Sequence, residues 1–81
     1  MKHIFLARFV SELEALPGII QKRFYKQLDF LILNLRYPSL HAKKYNETEE
    51  VRQARVDAHF RFYFRIEDDT YVLLNISRHK D

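Results

Sequence analysis

The stretch Ala54-Arg55-Val56-Asp57-Ala58-His59-Phe60-Arg61-Phe62-Tyr63-Phe64-Arg65-Ile66 alternates without a break. Even positions are apolar; odd positions are charged or polar apart from Tyr63. A period of two belongs to half-buried β-structure, with one face toward a core and one toward water. Keeping the alternation in step through Asp57-Ala58-His59 requires an odd-length hairpin loop, and three residues is the natural choice. Val56 then faces Phe60, Ala54 faces Phe62, and Arg55 stands directly across from Arg61. Like charges placed opposite one another repel. An anion seated between them reverses the sign, so the register predicts an anion site.

The open face carries Arg55, His59, Arg61, Tyr63 and Arg65. Guanidinium groups beside a phenol and an imidazole suit the binding of phosphate, and of RNA in particular. Arg61 sits among cations with no acid beside it in the strand, which favours a ligand over a merely solvated role. Tyr63 can stack a base or simply cover the sheet.

Working outward, residues near His3 to Leu6 fit a short first strand. Phe9, Leu13 and Leu16 recur at helical spacing over Arg8 to Leu16. Pro17-Gly18 stops that helix and opens the next. From Ile19 to Leu35 runs a long helix whose stripe is Ile20, Phe24, Leu28, Leu31 and Leu35, broadened by Phe30, Ile32 and Leu33. Tyr37-Pro38-Ser39 breaks it. A strand is expected from about His41 to Tyr45, then an acidic loop over Asn46-Glu47-Thr48-Glu49. Strands follow near Val51 to Val56, Phe60 to Ile66 and Thr70 to Arg78, with a turn at Asp68-Asp69. Tyr71 to Ile76 is almost continuously apolar, which predicts a strand covered on both faces. The fold class is α+β, β-α-α-β-β-β: a helical hairpin on one face of a small, mostly antiparallel sheet.

The bulk figures agree. With 81 residues the chain makes one domain, residues 1–81, with a core only just large enough. It has no cysteine, which fits a reducing cytoplasm, and its first residues lack the apolar run of a signal peptide or membrane span. Net charge is +3, yet Lys43, Lys44, Arg52, Arg55, Arg61, Arg65, Arg78 and Lys80 all lie in the half that reads as sheet. Clustered cations raise local phosphate affinity. His41, His59 and His79 show no metal-ligand spacing.

Leu16-Pro17 before a long helix, Pro38-Ser39-Leu40-His41-Ala42-Lys43-Lys44, Ala54-Arg55-Val56 with Phe60-Arg61-Phe62-Tyr63-Phe64, Asp69-Thr70-Tyr71-Val72-Leu73-Leu74 and a terminal Arg78-His79-Lys80 follow in order. Over nearly the whole chain that order resembles the RelE/ParE superfamily of bacterial toxins, whose fold is also β-α-α-β-β-β. The resemblance implies the toxin of a type II toxin–antitoxin pair, a ribosome-dependent endoribonuclease that cuts mRNA in the A site. Such a reaction uses the RNA's own 2′-hydroxyl as nucleophile and requires no metal or cofactor. By position, Arg61 would sit on the scissile phosphate, and Lys43 and Lys44 match the basic residues of the second strand. Arg78, His79 and Lys80 match the basic or histidine-bearing end of the last strand.

His79 is the first choice for proton transfer, because imidazole titrates near working pH; His41 and Tyr63 come second. Near the end of the chain, His79 reads equally as a frayed tail. Lys43 and Lys44 are neighbours, so only one can share the face of Arg61. Arg55 and Arg65 complete the expected phosphate ligands. The resemblance also implies a cognate antitoxin whose acidic residues reach the basic face, and operator DNA bound indirectly through the complex. Arg52 stands where many members carry tryptophan. The alternative therefore stays open: a non-nuclease protein of the same fold, inhibiting DNA gyrase or only binding its antitoxin.

Overall fold

In the computed structural model, which describes residues 1–46 and 48–79, the elements are β1 (Lys2–Phe5), α1 (Ala7–Glu14), α2 (Gly18–Leu33), a short 3-10 turn (Pro38–Leu40), β2 (Lys43–Asn46), β3 (Val51–Arg55), β4 (Phe60–Glu67) and β5 (Thr70–Arg78). The five strands form one sheet in the order β1-β5-β4-β3-β2. β1 runs parallel to β5, and the other neighbours are antiparallel. The two helices cover one face, so the expected α+β architecture is the one found.

The alternation of β4 explains the core. Phe62 and Phe64 are fully buried, Phe60 and Ile66 half-buried at the two ends, and all four meet the helical stripe. Phe62 packs edge-on against Phe24 of α2, with ring centroids 5.2 Å apart at 85°. Phe9 and Leu13 of α1 and Ile20, Leu28 and Leu31 of α2 complete the layer.

The long helix is shorter than its apolar pattern suggests. Asn34 adopts an extended backbone, and its Oδ1 accepts the N–H of Arg36 (2.9 Å), a local turn that competes with the helix. Leu33 is consequently 78% exposed instead of broadening the stripe, and Leu40, carried in by the 3-10 turn, fills the core in its place.

Tyr71 to Ile76 has a different explanation from the one its apolarity suggests. Register slips between Tyr63, paired with Asn75, and Phe64, paired with Leu73, leaving Leu74 as an extra residue on β5. Tyr71 and Leu73 face the helices before this bulge, and Ile76 does so after it. The continuous run is two half-faces offset by one residue. Only Val72, buried outside that core cluster, supports cover on the far side.

β1 borders β5 only as far as Leu73. Beyond that point α1 flanks β5, and Glu12 Oε1 accepts the N–H of Ile76 (3.1 Å), satisfying an edge donor that β1 does not reach. Asp68 makes the β4–β5 turn with φ of 56°, a left-handed conformation aspartate tolerates.

Candidate functional site

The β3–β4 hairpin fixes everything on the open face. Asp57 Oδ1 accepts the N–H groups of His59 (2.8 Å) and Phe60 (2.9 Å), and its Oδ2 accepts from Arg23 Nη1 (2.8 Å). Val56 N–H donates to the Phe60 carbonyl (3.0 Å), closing the three-residue loop. The register that follows pairs Ala54 with Phe62 and Arg55 with Arg61, as the alternation requires. Two guanidinium groups therefore stand opposite each other on one face.

Burial pushes the Asp57 carboxyl up, but the N–H groups of His59 and Phe60 and the Arg23 guanidinium together outweigh it and hold it below its ordinary value. A depressed folded-state value contributes stability that is complete above the unfolded value near 3.8 and is lost as pH falls through the folded one. Asp57→Ala should thus cost about 1–2 kcal/mol at neutral pH, and progressively less as pH falls below 3.8 and through the lowered folded-state value, where the native carboxylate takes up its proton. Urea unfolding of both proteins across that range checks it.

Lys43 pairs with Gln53, one register step inside the arginine pair, and Lys44 pairs with Arg52. Lys43 accordingly shares the face of Arg55 and Arg61, whereas Lys44 points to the helix side. A cleft of about 370 Å³ is lined by His41, Ala42, Lys43, Gln53, Arg55, Arg61 and His79. His79 is placed there by its backbone N–H, which donates to the His59 carbonyl (2.7 Å) and ties the end of β5 to the hairpin. His41 enters from the 3-10 turn with φ of 46°, a left-handed conformation unusual for a non-glycine residue. That turn explains why β2 starts at Lys43 and not at His41.

The charges of the cleft have no internal answer. Among the described residues, Lys43, Arg55 and Arg61 make no ion pair. Arg55 Nε is buried without a hydrogen-bond partner. Arg61 Nη1 donates to the carbonyls of Asp57 (2.7 Å) and Phe60 (3.0 Å), which steadies the side chain without neutralising it. A buried, unpaired donor beside opposed cations is costly unless an anion completes the site.

Other expected site residues lie elsewhere. Arg65 shares the open face but sits about 13 Å along the strand from Arg61, and its guanidinium is held by Glu67 (2.9 Å and 3.1 Å). Arg78 lies opposite Phe60, with its guanidinium carbon 5.8 Å from that ring's centroid; this puts it on the helix side, away from the cleft. Lys80 falls outside the described residues, as does Glu47 of the acidic loop. Among the described residues no three His, Asp or Glu side chains gather as metal ligands.

Tyr63 shares the face of Arg61 and packs edge-on against Tyr45, with centroids 5.0 Å apart at 68°. Burial, and then the neighbouring Tyr45, raise the Tyr63 hydroxyl's pKa against the opposing pull of Arg61, so it stays protonated at neutral pH.

Two contributors escaped the sequence reading. Tyr45 was placed on a strand but given no role. Gln27 is buried in α2, where its Nε2 donates to the carbonyls of Arg55 (2.7 Å) and Ser39 (3.0 Å) and its Oε1 accepts from Ser39 Oγ (3.0 Å). It clamps the 3-10 turn and β3 together behind the cleft. A signal existed: Gln27 lies three residues after Phe24 and four before Leu31, a polar side chain on the apolar stripe. Gln27→Met keeps the volume but orphans three polar groups, and should cost about 2–3 kcal/mol in urea unfolding.

No family model and no curated protein matches the sequence. Solved structures do match the fold. A YoeB/ParE toxin from Agrobacterium tumefaciens superposes with a TM-score of 0.82 at 10% identity, over 99% of this chain and 100% of its own. An archaeal RelE–RelB complex from Pyrococcus horikoshii gives 0.78 at 18%, covering 95% and 92%. A RelB–RelE antitoxin–toxin complex from Methanococcus jannaschii gives 0.74 at 21%, covering 93% and 88%. The chain has the fold of RelE/ParE-type toxins, as its ordered segments imply.

Proposed function

We propose that this protein is the toxin of a type II toxin–antitoxin pair and acts as an endoribonuclease on mRNA in the ribosomal A site. The observation that carries the reading is the cleft where Arg55, Arg61 and Lys43 converge with two imidazoles and without a balancing carboxylate among the described residues. Its likeness in fold to toxins, two of them solved with antitoxin partners, supports the same reading.

In this mechanism the 2′-hydroxyl of the RNA attacks the adjacent phosphorus and the bond to the 5′-oxygen breaks. The products are a 2′,3′-cyclic phosphate and a 5′-hydroxyl. Arg55 and Arg61 face each other across the phosphate and stabilise the charge that grows on its oxygens; Lys43 adds a point charge at the rim. One proton leaves the 2′-hydroxyl and one reaches the 5′-oxygen, and His79 and His41 are the cleft's imidazoles for these transfers. The ribosome supplies the aligned substrate. A cognate antitoxin silences the toxin by presenting acidic side chains to the same cations, and operator DNA is reached through that complex.

A second reading, a protein of this fold that does not cut RNA, is favoured by one observation: Arg61 already spends a donor nitrogen on its own hairpin. Primer extension on a message translated in a bacterial extract separates the two. Cuts within codons, present only while ribosomes elongate, establish the nuclease. An intact message beside arrested growth gives the second reading.

A further inference from the structure

The cationic cleft is not alone on the open face. Next to it, across the sheet, lies a groove of about 510 Å³ whose lining includes Leu6, Tyr45, Val51, Tyr63, Leu74 and Asn75. Tyr45 is 63% exposed and Tyr63 half-buried, and neither belongs to the core beneath the helices. A ring so exposed on an edge strand contributes little to folding, yet the two tyrosines form an ordered edge-to-face pair. We propose that this groove seats an unpaired nucleobase of the strand whose phosphate lies in the cleft. The proposal rests on the nuclease reading and deepens it.

Three features favour a base. First, the groove joins the cleft: Tyr63 follows Arg61 by two residues on the same face of β4, about 7 Å along the strand. A phosphate on Arg61 therefore leaves its own nucleotide within reach of the phenol rings. Second, Val51 and Leu74 give the groove an apolar floor. Of its charged rim residues, Arg8 is already paired with Glu12 (3.3 Å) and Glu49 is an anion, which suits a neutral planar group better than a second phosphate. Third, Asn75 lies directly across from Tyr63. Its side-chain amide has no partner among the described residues, so it offers a donor and an acceptor to a base edge. An aromatic platform beside a phosphate ligand is the general solution for holding single-stranded RNA, whose bases are free to stack.

The test uses two fluorescently labelled oligoribonucleotides, fully 2′-O-methylated so that neither can be cut, one with all bases and one with abasic sites at its centre. Anisotropy titrations of the purified protein should show the base-bearing strand binding roughly tenfold tighter. Tyr45→Ala and Tyr63→Ala should erase that preference, Tyr45→Phe and Tyr63→Phe should keep it, and Arg61→Ala should weaken both strands alike. Tyr45 is exposed, so its replacement spares the fold even if Tyr63→Ala does not.

Equal binding of the two strands by the wild-type protein overturns the base seat and leaves the phosphate cleft standing. Binding of neither strand likewise overturns the base seat, while the nuclease reading is decided separately by primer extension on the translated message. A base preference that survives Tyr45→Ala and Tyr63→Ala also overturns the proposal.

Discussion

Phe62→Ala is expected to lower stability by about 3–5 kcal/mol. The ring is fully buried at the middle of β4, meets Phe24 edge-on, and tilts against Phe64 at 5.8 Å. Its removal deletes a large apolar surface and leaves a cavity between two layers, and a rigid sheet cannot collapse to fill it. A domain of this size holds roughly 4–12 kcal/mol in total, so the variant should be substantially unfolded at growth temperature. Phe62→Leu, which keeps most of the volume, should cost about 1–2 kcal/mol. Urea unfolding followed by circular dichroism measures both. A loss below about 1 kcal/mol for alanine would mean that the helices do not rest on this face.

The second large effect concerns chemistry. Arg61→Ala should reduce mRNA cleavage on the ribosome by roughly 100- to 1000-fold, the usual consequence of removing one donor from a developing oxyanion. Stability should move by only about 1 kcal/mol, because among the described residues the side chain's hydrogen bonds are two, both to hairpin carbonyls. Arg61→Lys should recover part of the rate, since it restores charge but not the planar fork. Primer extension gives the cleavage rate, and a thermal midpoint on the same preparations gives the fold. Unchanged cleavage in Arg61→Ala would remove the phosphate role assigned to this side chain.

The hairpin was legible because its information is local. Thirteen residues of strict alternation fix which side is wet, and an odd loop then fixes which residues face each other; the pairing of Arg55 with Arg61 follows without any long-range knowledge. Arg78 was misplaced because its side depends on an event the residues around it do not announce. The bulge at Leu74 shifts the parity of β5: continued without it, the Phe64–Leu73 register would leave Arg78 on the open face, whereas the shifted register sets Ser77 opposite Arg61 and Arg78 opposite Phe60. Lys43 and Lys44 stayed ambiguous for a related reason: the phase of β2 is set by the left-handed His41 before it and by pairing with β3. Gln27 was passed over because its partners are backbone carbonyls, which carry no sequence signature.

The parallel pairing of β1 with β5 also has a consequence in time. Synthesis proceeds from the amino end, so β1 and the flank of α1 that meets β5 are made first and wait for the strand that comes after all the other described elements. Until β5 emerges, β1 has no neighbour, Ile76 cannot engage Glu12, and His79 is not yet anchored to the hairpin. Contacts of such long sequence separation close slowly and late. The cleft therefore cannot assemble before β5 has been made, and until then the growing chain carries an open strand edge on which chaperones and proteases can act.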